Sequence, residues 1–363
     1  MLRENHQSAL AKMLLDSLEH DEFVLLDVGA SGGISAVWNQ FGDRLRAHGF
    51  DPLVAEVDRL NAADTSGRVR YHAAVVNCRD QQVLDGLRTD GRLQPGSFRR
   101  TSAQRAMRAV KLDYVKERYN HDEAVHKTDH RITLDEFCAE MGLTRVDFIK
   151  IDTDGHDYYV LHGAHDVLSR RGVLGVQVEC QLHGASHPHA NTFANIDRFM
   201  RDRGFALFDL NVWRYTRASL PGCFYYDLPA TTVNGQVTWC DALYMLDPVT
   251  RPNLHDLKAT QIVKLLMLYD IFGLPDCAAE LIEFMRDRKM DIPGLHSATE
   301  LLDLLAPNGD HAGYVADFDR DPTSFFPSRR REAAEAATNQ PDLRGKAPSL
   351  QAILNHIFGR GAG

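Results

Sequence analysis

The sequence predicts an α/β fold: a mostly parallel sheet closed by an antiparallel terminal strand, followed by a helical appendage. Three observations carry this. The run Phe23-Val-Leu-Leu-Asp-Val-Gly-Ala-Ser-Gly-Gly33 is a short apolar strand ending in an acid and a glycine-rich turn. Alternating strand and helix patterns follow it, the arrangement of a parallel sheet covered on both faces. Near Pro248 the alternation stops and helical periodicity takes over.

Residues 1–22 read as an amphipathic helix with Leu10, Met13, Leu14 and Leu18 on one side. Glu4, Lys12, Asp16 and Glu19 interrupt what would be the apolar core of a signal peptide. The α/β domain then spans 23–247. After the first strand, Ile34, Val37, Trp38, Phe41 and Leu45 predict a helix from Ile34 to Ala47. Arg46 to Phe50 reads as a second strand ending at Asp51-Pro52, and a helix runs on to about Ala63. A third strand covers Val69 to Val76 and carries the small pair Ala73-Ala74. Residues 77–127 form a polar insertion, read as a lid or an exposed loop region.

Order returns at Ile132 to Gly142, where Thr133 and Glu136 fit a capping box and Gly142 a helix stop. A strand over Val146 to Asp152 leads through the turn Thr153-Asp-Gly-His-Asp157 into a helix over Tyr158 to Leu168. The next strand, Gly172 to Cys180, carries Glu179 at its end, before a loop holding His183, His187 and His189. A helix over Phe193 to Arg203 precedes strands at Phe205 to Leu210 and Val237 to Leu246, the last expected to be antiparallel to its neighbour. Residues 248–305 are the helical appendage, with two helices around Gly273-Leu-Pro275 and a third over Ala298 to Leu305. Residues 306–363 read as a loosely ordered tail with a short final helix over Leu350 to Phe358.

Composition narrows the function. A net charge of −9 argues against a general nucleic-acid binder, which would show a basic stripe. The six cysteines are scattered with no C-x-x-C pair, which excludes the usual zinc spacing and fits reduced thiols in a cytoplasmic protein. No apolar run is long enough to span a bilayer.

The glycine turn points to a ligand. Its order, Asp27-Val-Gly29-Ala-Ser-Gly32-Gly33, fails the dinucleotide pattern G-x-G-x-x-G, and no P-loop sequence occurs. An acid at the strand end with glycines after it suits a ligand bearing an amino group and hydroxyls, such as S-adenosylmethionine. Gly29 and Gly33 permit close approach of the backbone, and amides at the helix start are expected to face the ligand. Asp27, Gly29, Ala30, Ser31 and Gly33 are therefore candidate cofactor contacts. Asp51 stands about 20 residues further on, where a carboxylate can accept both hydroxyls of a ribose. The same residue could instead cap the following helix. Ala74, at the end of the third strand, could let an adenine ring lie flat, or serve close helix packing.

Four acids stand at four strand ends: Asp27, Asp51, Asp152 and Glu179. Ligands of an open parallel sheet bind beyond those ends. At this point the sequence resembles the FkbM-type family of S-adenosylmethionine-dependent methyltransferases. The residues that carry the likeness are Leu26-Asp-Val-Gly-Ala30, Asp147-Phe-Ile-Lys-Ile-Asp-Thr-Asp-Gly-His156, Val160-Leu-His-Gly-Ala164 and Glu179, with Gly204-Phe205 and Asp241-Ala-Leu243 as later landmarks. Asp154 and Asp157 stand where the family has longer acids, and residues 77–127 and those after 250 have no family counterpart.

The resemblance implies a Rossmann-like class I methyltransferase that uses S-adenosylmethionine. Its expected reaction is O-methylation of a small-molecule or glycan acceptor, at a hydroxyl of a sugar, glycan or natural product. The acceptor proton must leave, and two routes are open. His156 or His183 could be the base, with Asp152 beside the methyl group, or Asp152 and Glu179 could hold a divalent cation such as Mg2+. The alternative is an inactive methyltransferase-like scaffold. The C-terminal helices are the candidate surface for a homo-oligomer or a protein partner.

Overall fold

The computed structural model describes residues 9–85, 127–153, 155–182, 188–215, 232, 234–250, 257–290, 295, 301–306 and 309–321. Most of the 77–127 insertion, His183, His187 and the final helix expected over Leu350 to Phe358 lie outside the described residues. The chain forms two compact units, residues 1–308 and 309–363.

The first unit is built on β1 (Phe23–Val28), β2 (Leu45–Asp51), β3 (Val69–Ala73), β6 (Phe148–Ile151), β7 (Gly175–Gln181), β8 (Ala206–Tyr215) and β9 (Gln236–Met245). The short strands β4 (Val75–Val76) and β5 (Arg131–Ile132) pair apart from them. The main sheet has the order β3-β2-β1-β6-β7-β9-β8. β3, β2, β1, β6 and β7 are parallel, and β9 runs antiparallel to both β7 and β8. The expected fold class is what the chain adopts. The reversal of order between β1 and β6 opens a crevice beyond the carboxyl ends of those strands.

Local signals produce several elements as expected. Thr133 and Glu136 form the reciprocal capping box of helix Leu134–Glu140, and Gly142 ends that element with φ +65°. Asp135, inside that helix, accepts the amides of Asp166 and Val167, so it caps a neighbouring helix as well.

Two expected helices differ. The stretch after the glycine turn is a 3-10 helix, Ala36–Arg44, rather than an α-helix to Ala47. Gly42 breaks it at φ +52°, and β2 claims the chain from Leu45. The helix expected over Tyr158 to Leu168 divides into Asp157–His162 and His165–Arg170. The Asn77 carbonyl passes the break so closely that a Cβ on Gly163 would lie 2.1 Å from its oxygen.

Helices Ala259–Ile271 and Pro275–Asp287 turn about Gly273 at φ +73°. They join the same hydrophobic core as the sheet and the N-terminal helix Ala9–Leu14. Trp38, Phe148 and Phe272 meet there, with ring centroids 5.0 Å apart for Trp38–Phe148 and 5.3 Å for Phe148–Phe272. Lys264, in the first of these helices, is wholly buried on Asp147 at the amino end of β6. In the second unit, helix His311–Arg320 lies within the stretch expected to be loosely ordered, and Asp310 caps it by accepting the Gly313 amide.

His48 and His72 sit side by side on β2 and β3, with Nδ1 of His48 3.1 Å from Nε2 of His72, so one neutral ring donates to the other. Burial is the main cause that lowers both to about 4, and nearby cationic groups add to it. Unfolded histidines titrate near 6.5. The folded state therefore binds fewer protons, and the stability these rings contribute is present above pH 6.5 and lost as pH falls toward 4. Calorimetric melting is expected to show a shallower fall in Tm over this range for His48→Leu than for wild type. Equal slopes would clear the pair of that role.

Candidate active site

Gly29 makes the corner at the end of β1. Its φ is +89°, and a Cβ there would lie 1.8 Å from the Asp152 carbonyl oxygen, so only glycine fits. The turn thus presses the end of β1 against the chain leaving β6. Asp152 returns the contact, donating its amide to Val28 O at 2.9 Å.

The turn's amides are used internally, contrary to the expectation that they face a ligand. Gly29 and Ala30 donate to Phe50 O, Gly32 to Glu56 Oε1, Gly33 to Ala30 O and Ile34 to the Tyr71 hydroxyl. Glu56 is fully buried and held by Arg59 at 2.7 Å. The loop is a braced corner rather than an open anion nest, because its scaffold satisfies each of these donors. What it offers a ligand is close approach, with Ala30 buried beneath and Ser31 exposed at the tip. Gly33, at φ +100°, leaves no room to spare beside Leu60 and Tyr71.

Asp51 ends β2 beside this corner. Its Oδ1 accepts the Leu53 amide at 2.7 Å, one residue before helix Val54–Ala63 begins. Burial raises its pKa, the Leu53 amide opposes this, and the charge of Glu56 reinforces it. Ala74 is buried just past β3 and donates its amide to Asp51 O at 3.1 Å. Ala74, Asp51 and the glycine turn therefore share one edge of the sheet.

The second group lies across β1, β6, β7, β9 and β8. Asp27 is 2% exposed and stands in register with Lys150, whose Nζ is 3.3 Å away. The same ammonium is 3.6 Å from Asp152, whose side chain is 46% exposed. Burial disfavours the Lys150 charge, yet Asp27 and Asp152 outweigh it and keep its pKa above the ordinary lysine value. Burial pushes Asp27 up, with Lys150 pulling the other way. Glu179 is in register with Asp241 of β9, and Asp241 with Asn211 of β8.

His156 is exposed just before helix Asp157–His162, and its ring packs on Tyr159 with centroids 6.2 Å apart. Asp157 shapes the turn it stands in. Its carboxylate accepts the Thr153 amide and hydroxyl, the Gly155 amide and the Asn191 side chain. Glu56 and Asn191 are supports that sequence reading missed. A buried glutamate in an otherwise ordinary helix, and an asparagine in a polar loop, carry no local signal of their remote partners.

The residues do not suit a divalent ion held by Asp152 and Glu179. Among the described residues, no group of three or more His, Cys, Asp or Glu side chains is placed to hold a metal ion. One cation, the Lys150 ammonium, already stands 3.6 Å from Asp152. A cleft of about 620 Å³ opens at the opposite, amino-terminal edge of the strands, where Arg145 pairs with Asp21 and Arg46 with Glu22.

A profile of the Methyltransferase FkbM domain matches residues 27–207, from Asp27 of β1 into β8. The chain carries an FkbM methyltransferase domain. It is of the S-adenosylmethionine-dependent type that the resemblance implied. No curated protein matches the chain. Solved structures with some likeness include an S-adenosylmethionine-dependent methyltransferase from Aquifex aeolicus, at 9% identity and TM-score 0.28, covering 65% of this chain and 89% of that one. Another is the geranyl diphosphate C-methyltransferase of Streptomyces coelicolor A3(2), at 14% identity and TM-score 0.29, covering 65% and 76%. The fold class stands on the strand order of the sheet itself. Among the described residues, no helix is long and apolar enough to cross a membrane.

Proposed function

We propose that the protein is an S-adenosylmethionine-dependent O-methyltransferase acting on a hydroxyl of a sugar, glycan or natural product. The observation that carries the cofactor half is the shared edge of the Gly29 turn, Asp51 and Ala74. In this reading Asp51 accepts from the ribose hydroxyls of the cofactor and Ala74 lies beneath its adenine. When bound, the cofactor supplies an electrophilic methyl group on a sulfonium. Asp27 keeps Lys150 in place, and Lys150 holds Asp152 at the edge of the site. Asp152, His156 and His183 are the candidates for orienting the acceptor hydroxyl and taking its proton. Their oxygen and nitrogen atoms are suited to an acceptor hydroxyl, which supports transfer to oxygen.

Calorimetric titration with S-adenosylhomocysteine tests the cofactor half. Saturable binding to wild type is expected, weakened in Asp51→Ala by roughly 1.5–3 kcal/mol, or about 10- to 100-fold. Equal affinities would remove Asp51 from the ribose. No binding at all would favour a methyltransferase-like scaffold.

A further inference from the structure

Asp241 lies beyond the matched 27–207 stretch, yet the sheet brings it to the same edge. It is in register with Glu179 on one side and Asn211 on the other, and Asn211 Nδ2 donates to its Oδ2 at 3.3 Å. In-register side chains share a face of the sheet. Residues 27, 150 and 177 form one row of this face, and 179, 241 and 211 the next, with Asp152 emerging beside Glu179. Trp213 follows Asn211 two residues along β8.

Among the described residues, the Lys150 ammonium lies 3.3 Å from Asp27 and 3.6 Å from Asp152, and it also acts on Asp241. Asp241 is half-buried, and desolvation pushes its carboxyl up to about 6, with Asp152 adding to the rise and Asn211 and Lys150 opposing it. Among the described residues, the groups facing it are Glu179 from β7, Asp152 and Lys150 from β6, and Asn211 and Trp213 from β8.

We propose that Asp241, with Asp152, makes the methyl-transfer centre select charge, favouring the sulfonium of S-adenosylmethionine over the neutral thioether of S-adenosylhomocysteine. The inference rests on the cofactor reading above. In the transfer, the S–CH3 bond breaks with its electron pair left on sulfur, an O–CH3 bond forms, and the hydroxyl proton leaves to a base. The sulfur loses its positive charge, so the attraction that held the donor is absent in the product. Donor capture and product release then follow from the negative charge that Asp241 and Asp152 place at this edge.

The test is calorimetric titration of wild type and Asp241→Asn with each of the two compounds, at about pH 7.5 and about pH 5. In wild type the ratio of the affinity for S-adenosylmethionine to that for S-adenosylhomocysteine is expected to fall about three- to tenfold at the lower pH. Asp241→Asn should show the lower ratio at both values. An unchanged ratio in wild type across pH, with the same ratio in the variant, overturns the inference while leaving the cofactor reading intact. A pH-dependent ratio that persists in Asp241→Asn assigns the effect to another group and also overturns it. Binding of neither compound would overturn the cofactor reading itself. Should Asp241→Asn fail to fold, Asp241→Ser serves in its place, and an unchanged wild-type ratio overturns the inference with neither variant.

Discussion

Lys264→Ala is expected to lower the stability of the first unit by about 3–5 kcal/mol. Lys264 and Asp147 are both 0% exposed, and the ammonium lies 3.0 and 3.1 Å from the two carboxylate oxygens. It also donates to the Glu22 carbonyl, while Asp147 Oδ2 accepts the Val24 amide at 2.8 Å. The pair thus ties helix Ala259–Ile271 to the amino ends of β1 and β6. Burial pushes the Asp147 carboxyl up, and Lys264 and the Val24 amide pull it down. Without the ammonium, the carboxylate would be left poorly compensated in the core, with Arg145, at 3.8 Å, the one other cation paired with it among the described residues. Urea unfolding should show the loss as a lower midpoint. The double variant Lys264→Met with Asp147→Asn should recover part of it, since asparagine keeps an acceptor for Val24 and carries no charge. A loss below about 1 kcal/mol in Lys264→Ala would mean the pair contributes no more than an exposed one.

Gly29→Ala is expected to abolish measurable S-adenosylhomocysteine binding and to destabilise the fold by several kcal/mol. A positive φ by itself costs a non-glycine residue about 1–3 kcal/mol. Gly32, also at φ +89°, has nothing within 4 Å of a would-be Cβ, so Gly32→Ala isolates that backbone cost. At Gly29 the same Cβ would fall 1.8 Å from the Asp152 carbonyl oxygen. The end of β6 would have to withdraw, and Lys150 and Asp152 would move with it. Matched melting curves and titrations of the two variants separate strain from collision. If Gly29→Ala behaves like Gly32→Ala, the corner is looser than its geometry requires.

The parts of the fold legible in the sequence are those written in short range. The apolar run at Phe23–Val28, the Thr133–Glu136 box and the pause at Gly273-Leu-Pro275 are each set by a few neighbouring residues. The strand-end acids were legible too, because alternation and chain reversal fix where a strand stops. The split at Gly163 was not, since its cause is the Asn77 backbone arriving from a distant segment. Nor was the 3-10 winding of Ala36–Arg44, whose hydrophobic spacing reads equally well as an α-helix.

At the site, the sequence alone determined the glycine corner, Asp51 beside it and the acids at the strand ends, since each depends on residue type and position within one strand-turn unit. The tertiary structure decided what those groups can do. It occupied the turn's amides with Phe50, Glu56 and Tyr71, set Lys150 between Asp27 and Asp152, and carried Asp241 from β9 to the same edge. Lys264 and Asp147 are 117 residues apart, and Glu56 is 24 from the glycine whose amide it holds. The register of parallel strands joins such distant residues, and no local pattern records it.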